Sequence, residues 1–144
     1  MIVPDVNLLL YAYVPAYPEH GAARAWLEAA LSGTDEVGFT DVAVFGFLRL
    51  VTNRRVYTTP MTVDQAADRI ESWFQTPSGR MLTPGPRHLQ IALRLARALG
   101  TAGSLTTDIQ LAAYAIENQA EVHSNDNDFA RFPGLRWTNP LKKR

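Results

Sequence analysis

Apolar runs of only two or three residues, set between stretches with helical periodicity, constrain this chain more than any other feature. Met1-Ile2-Val3, Val37 to Phe39, Met81-Leu82 and Ala120-Glu121-Val122 are too short for helices and read as strands. Ala23, Trp26, Leu27, Ala30 and Leu31 recur at helical spacing before Gly33, which predicts a helix from about 18 to 32 directly after the first strand. Thr40 or Asp41 can cap a second helix carrying Val42, Phe45 and Leu48 to about Asn53. Thr62-Val63-Asp64-Gln65 fits a capping box opening a third, which runs to about Phe74. Pro86 suits a fourth helix start, with Leu89, Ala92, Leu93 and Ala96 on one face and Gly100 as its stop. A fifth begins near Thr106-Thr107-Asp108: Leu111, Ala112, Ala115 and Ile116 stand three, four, seven and eight residues after Asp108, which places that acid on the helix's buried side. Strands this short, each followed by a helix, predict parallel βαβ units and an α/β sandwich, because a parallel crossover must carry a helix over the sheet.

Length sets the scale. A chain of 144 residues has the size of one ordinary domain and buries roughly 68–70% of its unfolded surface, so one domain over 1–144 is expected. With 47% hydrophobic and 19% charged residues, a disordered chain is excluded. There is no cysteine, which removes disulfides, thiolate nucleophiles and cysteine-bound metal centres together. A metal, if used, must take O or N ligands. Val42 to Leu48, the longest central apolar stretch, is far short of the ~20 residues that span a bilayer. Pro4 and Asp5 interrupt any signal-like segment, so no membrane association and a cytoplasmic location are expected. Net charge is zero, so nucleic-acid binding would need basic residues gathered locally. Arg49, Arg54 and Arg55 form one such group; Arg131, Arg136, Lys142, Lys143 and Arg144 form another.

Acids occupy the places where this architecture binds ligands. Asp5 and Asn7 follow the first strand, Asp126 and Asp128 follow the strand at 120–122, and Asp108 opens a helix. In a parallel sheet the strands' carboxyl ends face the amino ends of the following helices, so these acids can meet in one crevice. Four anions there would repel and raise one another's pKa unless a cation intervened, and an all-oxygen set suits Mg²⁺ or Mn²⁺. A metal held by carboxylates can lower the pKa of water and stabilise charge on a phosphodiester without a side-chain nucleophile. Each acid also has a plain structural role open to it. Asp5 could start a turn, Asp108 could favour a helix dipole, and Asp126 with Asp128 could cap a short helical turn. An EF-hand is excluded, since Arg131 stands where its glycine belongs and Trp137 where its bidentate glutamate belongs. His20, His88 and His123 show no metal-binding spacing and read as surface or packing residues, and no serine sits in a nucleophile elbow.

The motifs Val3-Pro4-Asp5-Val6-Asn7-Leu8-Leu9, Phe47-Leu48-Arg49-Leu50-Val51-Thr52-Asn53, Thr106-Thr107-Asp108, Ser124-Asn125-Asp126-Asn127-Asp128-Phe129 and Phe132-Pro133-Gly134-Leu135 resemble, in order and spacing, a PIN domain of the VapC toxin ribonucleases of bacterial toxin–antitoxin systems. The resemblance covers nearly the whole chain. It implies a PIN-like three-layer sandwich around a central, mostly parallel sheet, with Asp5, Asp108 and Asp126 as metal-site carboxylates. Asp128 would be an additional or outer acid, and Asn7 or Ser124 would support them. It further implies Mg²⁺ or Mn²⁺ as cofactor, an RNA substrate, a homodimer, and a VapB-type antitoxin whose C-terminal segment blocks the groove. One departure stands out. Many PIN domains carry a glutamate on the second helix where this chain has Gly46. Asp41 lies five residues earlier, about 500° around a helix, and is expected to cap rather than replace it. A metal-dependent endoribonuclease is therefore the leading expectation. A catalytically silent PIN-fold module binding RNA or antitoxin is the alternative. An aspartyl-phosphate enzyme using Asp5 is the poorer third, because Asn7 stands where that chemistry wants a second acid.

Overall fold

A computed structural model describes residues 1–142. Five three-residue strands form one wholly parallel sheet in the order β3-β2-β1-β4-β5: β1 Ile2–Pro4, β2 Val37–Phe39, β3 Gly79–Met81, β4 Glu121–His123 and β5 Arg136–Thr138. Six α-helices cover it, α1 Val6–Tyr13, α2 His20–Ser32, α3 Asp41–Val51, α4 Val63–Phe74, α5 His88–Leu99 and α6 Thr106–Glu117. The result is the three-layer α/β sandwich expected from the sequence.

Alternation along the strands splits the core in two. Val3 of β1 and Val122 of β4 join the layer of α5 and α6, where Ile91, Leu95, Leu111 and Tyr114 are buried. Val37 and Phe39 of β2 face the layer of α1 to α4. There Phe39 stacks on Trp73 at 4.8 Å, and the Trp73 indole donates to the Tyr13 hydroxyl at 2.7 Å. Gly38, between Val37 and Phe39, points the other way. A Cβ on it would stand 2.7 Å from Leu82 Cδ1, so the absence of a side chain lets Leu82 close over the sheet as it does.

The expected capping box is present, with Thr62 Oγ1 accepting from Gln65 N at 3.1 Å and Gln65 Oε1 from Thr62 N at 3.0 Å. Thr40 caps α3 by accepting from Ala43 N. Asp41, expected as a cap, sits instead in the first turn and accepts from Val42 N and from the Tyr114 hydroxyl. Gly100 ends α5 in the left-handed region, φ 73°, where a side chain would be strained.

One sequence expectation needs correction, and two features were not legible in the sequence. The helix at 18–32 does not follow the first strand directly, because α1 intervenes. Its Val6-Asn7-Leu8-Leu9-Leu10 run buries Leu8, Leu9, Leu10 and Ala12 almost all round and so shows no amphipathic period. The strand β5 was not anticipated, since Arg136-Trp137-Thr138 is short, mixed and at the sheet's edge. On α5 the fully buried stripe is Ile91 and Leu95, while Leu89 and Leu93 are exposed. Lys143 and Arg144 of the C-terminal basic group lie outside the described residues. Arg136 of that group points its guanidinium to Gln119 O at the sheet's amino edge. No helix among the described residues is long and apolar enough to cross a membrane.

Candidate metal centre

The acids converge because the strands that precede them are neighbours. β1 and β4 pair with Pro4 opposite His123, so the next residues, Asp5 and Ser124, leave the sheet side by side. Asp5 is the N-cap of α1, and its Oδ1 accepts from Val6 N at 2.7 Å. Its Oδ2 accepts from Ser124 Oγ at 2.7 Å. The same Ser124 oxygen accepts from Asp126 N at 2.9 Å and from Asn7 Nδ2 at 3.3 Å. One hydroxyl thus spends its proton and both lone pairs tying the ends of β1 and β4 together. Ser124 is fully buried and Asp5 nearly so, at 6% exposure.

Asp126 turns outward from this base. It caps a short 3₁₀ turn, Asn127–Arg131, by accepting from Asp128 N at 2.9 Å. This is the structural role read as an alternative in the sequence, and it also aims Asp126 and Asp128 the same way. Asp108 arrives from the first turn of α6. Carboxylate oxygens of Asp108, Asp126 and Asp128 all lie within 4.8 Å of one another. That spacing lets a single ion touch oxygens of all three. Asp128 belongs to this trio, and Asp5 is tied to Asp126 through Ser124.

Electrostatics match the crowding. No ion pair among the described residues involves any of the four acids. Burial, then the charges of Asp5, Asp126 and Asp128, push the Asp108 carboxyl up to about 7. Burial also raises Asp5, offset in part by its bonds to Ser124 and Val6 and raised further by Asp126. The protein therefore holds negative charge together at a cost that a bound cation would relieve.

Residues not singled out from sequence complete the frame. Asn125 N donates to Asn7 Oδ1 at 3.4 Å, Asn125 Nδ2 to the Tyr11 hydroxyl at 3.5 Å, and Asn139 Nδ2 to Asn125 Oδ1 at 2.8 Å. Tyr11 stands four residues after Asn7, a spacing that would have flagged it had α1 been recognised. Asn139 carries no such signal. The histidines stay outside the trio. The Trp26 indole can only donate, so His123 Nδ1 accepts at 3.0 Å and its Nε2 carries the proton toward Glu121 at 2.9 Å. Burial lowers its pKa and keeps it neutral, a packing role. His20 Nδ1 meets Tyr11 O, and His88 packs on Tyr114. Gly46 faces Val6 across a groove beside the acids and offers no carboxylate.

Comparison with known proteins places the chain in a family. The PIN domain family model matches residues 2–135. Ribonuclease VapC33 of Mycobacterium tuberculosis is 50% identical over 143 residues, covering 99% of this chain and 100% of the relative. Two solved structures share the fold at 16% identity. VapBC2 from Rickettsia felis, bound to a DNA fragment from its promoter, superposes with a TM-score of 0.71 over 96% of this chain and 98% of that one. Mycobacterium tuberculosis VapC20, a sarcin–ricin loop cleaving toxin, gives 0.67 over 94% and 99%. With a full-length relative at half identity and the family's pattern matched from β1 to the start of β5, the chain belongs to the PIN domain family, among the VapC ribonucleases.

Proposed function

We propose that this protein is a toxin endoribonuclease acting as one domain in the cytoplasm, dependent on Mg²⁺ or Mn²⁺ held by Asp108, Asp126 and Asp5, with Asp128 completing the donor set. The observation that carries this reading is the trio Asp108, Asp126 and Asp128, with carboxylate oxygens within 4.8 Å of one another and no ion pair to any of them among the described residues. An oxygen-only cluster suits a hard divalent ion, and Mg²⁺ needs only one or two protein carboxylates, so Gly46 does not leave the site short of ligands. When bound, such an ion supplies charge that lowers the pKa of water and stabilises a phosphodiester's developing charge. The chain's residues position and protect that chemistry. Ser124 holds Asp5 and the Asp126 amide in one geometry, and Asn7 locks the 124–126 loop to α1. Asp5 keeps lone pairs beyond the two already engaged, and α6 directs its amino end at the same crevice.

RNA as substrate, a VapB-type antitoxin as partner and a homodimer are proposed from the relatives. The Rickettsia felis neighbour is a VapBC assembly on promoter DNA, and the VapC20 neighbour is a sarcin–ricin loop cleaving toxin. An aspartyl-phosphate mechanism is disfavoured because Asp5 is buried and Asn7 stands where that chemistry wants a second acid. Gly46 is the observation behind the second reading, a silent binding module. Purified protein incubated with stem–loop RNA and Mn²⁺ decides between them. Cleavage abolished by EDTA and by Asp108→Asn is expected; binding without cleavage under any divalent metal would favour the silent module, and cleavage indifferent to both would remove the metal mechanism.

A further inference from the structure

A groove of about 620 Å³ opens between α3 and the amino end of α6. Val6 lies at its base, Thr107 on one wall, and Phe45, Gly46 and Arg49 on the other. None of the four acids lines the groove, but Val6 follows Asp5 and Thr107 precedes Asp108, so it opens beside the chain segments that carry them. On α3, Val42, Phe45, Gly46 and Arg49 fall at i, i+3, i+4 and i+7 and therefore share one face. Phe45 is 63% exposed, although it is a large aromatic ring with a core beneath it. Arg49 is exposed and makes no ion pair among the described residues. The acid at the other end, Asp41, stands about 12 Å along the helix and is occupied with Tyr114.

Gly46 explains why the groove is open. A Cβ there would meet only Val6, at 3.4 Å, which is ordinary contact, so the fold does not demand glycine at this point. A side chain longer than alanine would project over Val6 and fill the floor beside Asp5. A volume of this size is ordinary for a small-molecule site. An aromatic face supplies stacking for any nucleobase, and a free guanidinium one helical turn on supplies a phosphate contact.

We propose that the face of α3 formed by Phe45, Gly46 and Arg49 is a nucleotide subsite of the RNA substrate, which takes the base adjoining the cleaved phosphodiester over Gly46 and its neighbouring phosphate on Arg49. It rests on the ribonuclease reading and deepens it: Gly46 becomes the residue that admits the base, and its replacement changes which base is accepted.

The test uses a pool of stem–loop RNA oligonucleotides with randomised loops, cleaved with Mn²⁺ and sequenced at the cut ends. For wild type, one position beside the cut is expected to show a base preference. Gly46→Leu should change that preference and raise KM roughly tenfold or more with kcat little altered. Phe45→Ala, an exposed position whose loss does not threaten folding, should flatten the preference. Arg49→Ala should reduce the salt dependence of binding by about one phosphate contact, and Arg49→Lys should keep it. Unchanged preference and KM in both Phe45→Ala and Gly46→Leu would overturn the subsite. So would a change in oligomeric state or antitoxin affinity in Phe45→Ala with RNA cleavage unaltered, which would make the groove a protein interface. If wild type cleaves nothing, the catalytic reading fails separately. The subsite is then judged by fluorescence anisotropy on the same pool: it stands if Phe45→Ala weakens binding and falls if it does not.

Discussion

The two ends of α6 carry carboxylates under opposite conditions. At the carboxyl end, Glu117 sits where the helix dipole is unfavourable to an anion, yet its two oxygens accept from Gly85 N and Arg87 N, each at 2.8 Å. At the amino end, Asp108 has the favourable dipole, but it meets three other acids and is pushed up to about 7. The sheet repeats the contrast. Near its amino edge Glu36 pairs with Arg80 at 2.8 Å, while at its carboxyl edge no basic side chain answers the acids among the described residues. One end of the molecule spends its charges on holding the fold together. The other leaves its carboxylates without an ion pair among the described residues.

The largest way to break this contrast is to remove an acid from the crowded end. Asp108→Asn is expected to abolish metal-dependent RNA cleavage while leaving the metal-free protein as stable as wild type or more so at pH 8, read by thermal melting in EDTA. Loss of fold in that variant would show Asp108 to be structural, like Glu117. Next comes the residue beneath the acids: Ser124→Ala should cost about 10–100-fold in Mn²⁺ affinity or activity, the usual effect of losing an orienting partner. At the satisfied end, Glu117→Ala should destabilise by about 1–3 kcal/mol, because Gly85 N and Arg87 N lose their acceptor, and should spare Mn²⁺ affinity.

The pH response sharpens the comparison. Asp108 is raised from its ordinary value to about 7 in the folded protein, so between about pH 4 and pH 7 the folded state holds a proton that the unfolded state has lost. Its contribution to metal-free stability is greatest below the unfolded value and falls as pH rises through 7; Asp5, also raised, has the same sign. Mn²⁺ competes with that proton. The melting temperature gained on adding Mn²⁺ should therefore be larger at pH 8 than at pH 5, and the difference should shrink in Asp108→Asn. The smallest effect belongs to Gly46→Ala, expected to stabilise by about 0.5–1 kcal/mol, since a helix-interior glycine is costly and the added Cβ meets only Val6 at ordinary contact.

The site was more legible in the sequence than parts of its scaffold. Asp5, Asp108, Asp126 and Asp128 could be placed because each follows a strand or opens a helix, and parallel topology sends all such positions to one edge. The capping box at Thr62 was legible for a similar reason, being a local rule satisfied by two side chains. Helix α1 was not, because a helix buried nearly all round has no polar stripe to set its period. Leu89 and Leu93 have the helical spacing read from the sequence, but spacing alone does not say which apolar stripe of α5 meets the sheet, and Ile91 with Leu95 does. The orientation of Asp128 depends on a 3₁₀ turn held by Asp126 itself, a detail of a few ångströms that no pattern in Asn125-Asp126-Asn127-Asp128 reveals.

The most direct test is diffraction from a crystal soaked in Mn²⁺, with an anomalous map calculated at the manganese edge. The account predicts a peak at roughly coordination distance, about 2.0–2.2 Å, from oxygens among Asp5, Asp108 and Asp126, with Asp128 bordering it and Ser124 still bonded to Asp5. A fully soaked crystal with no peak between these carboxylates, or with its manganese held elsewhere on the chain, would contradict it.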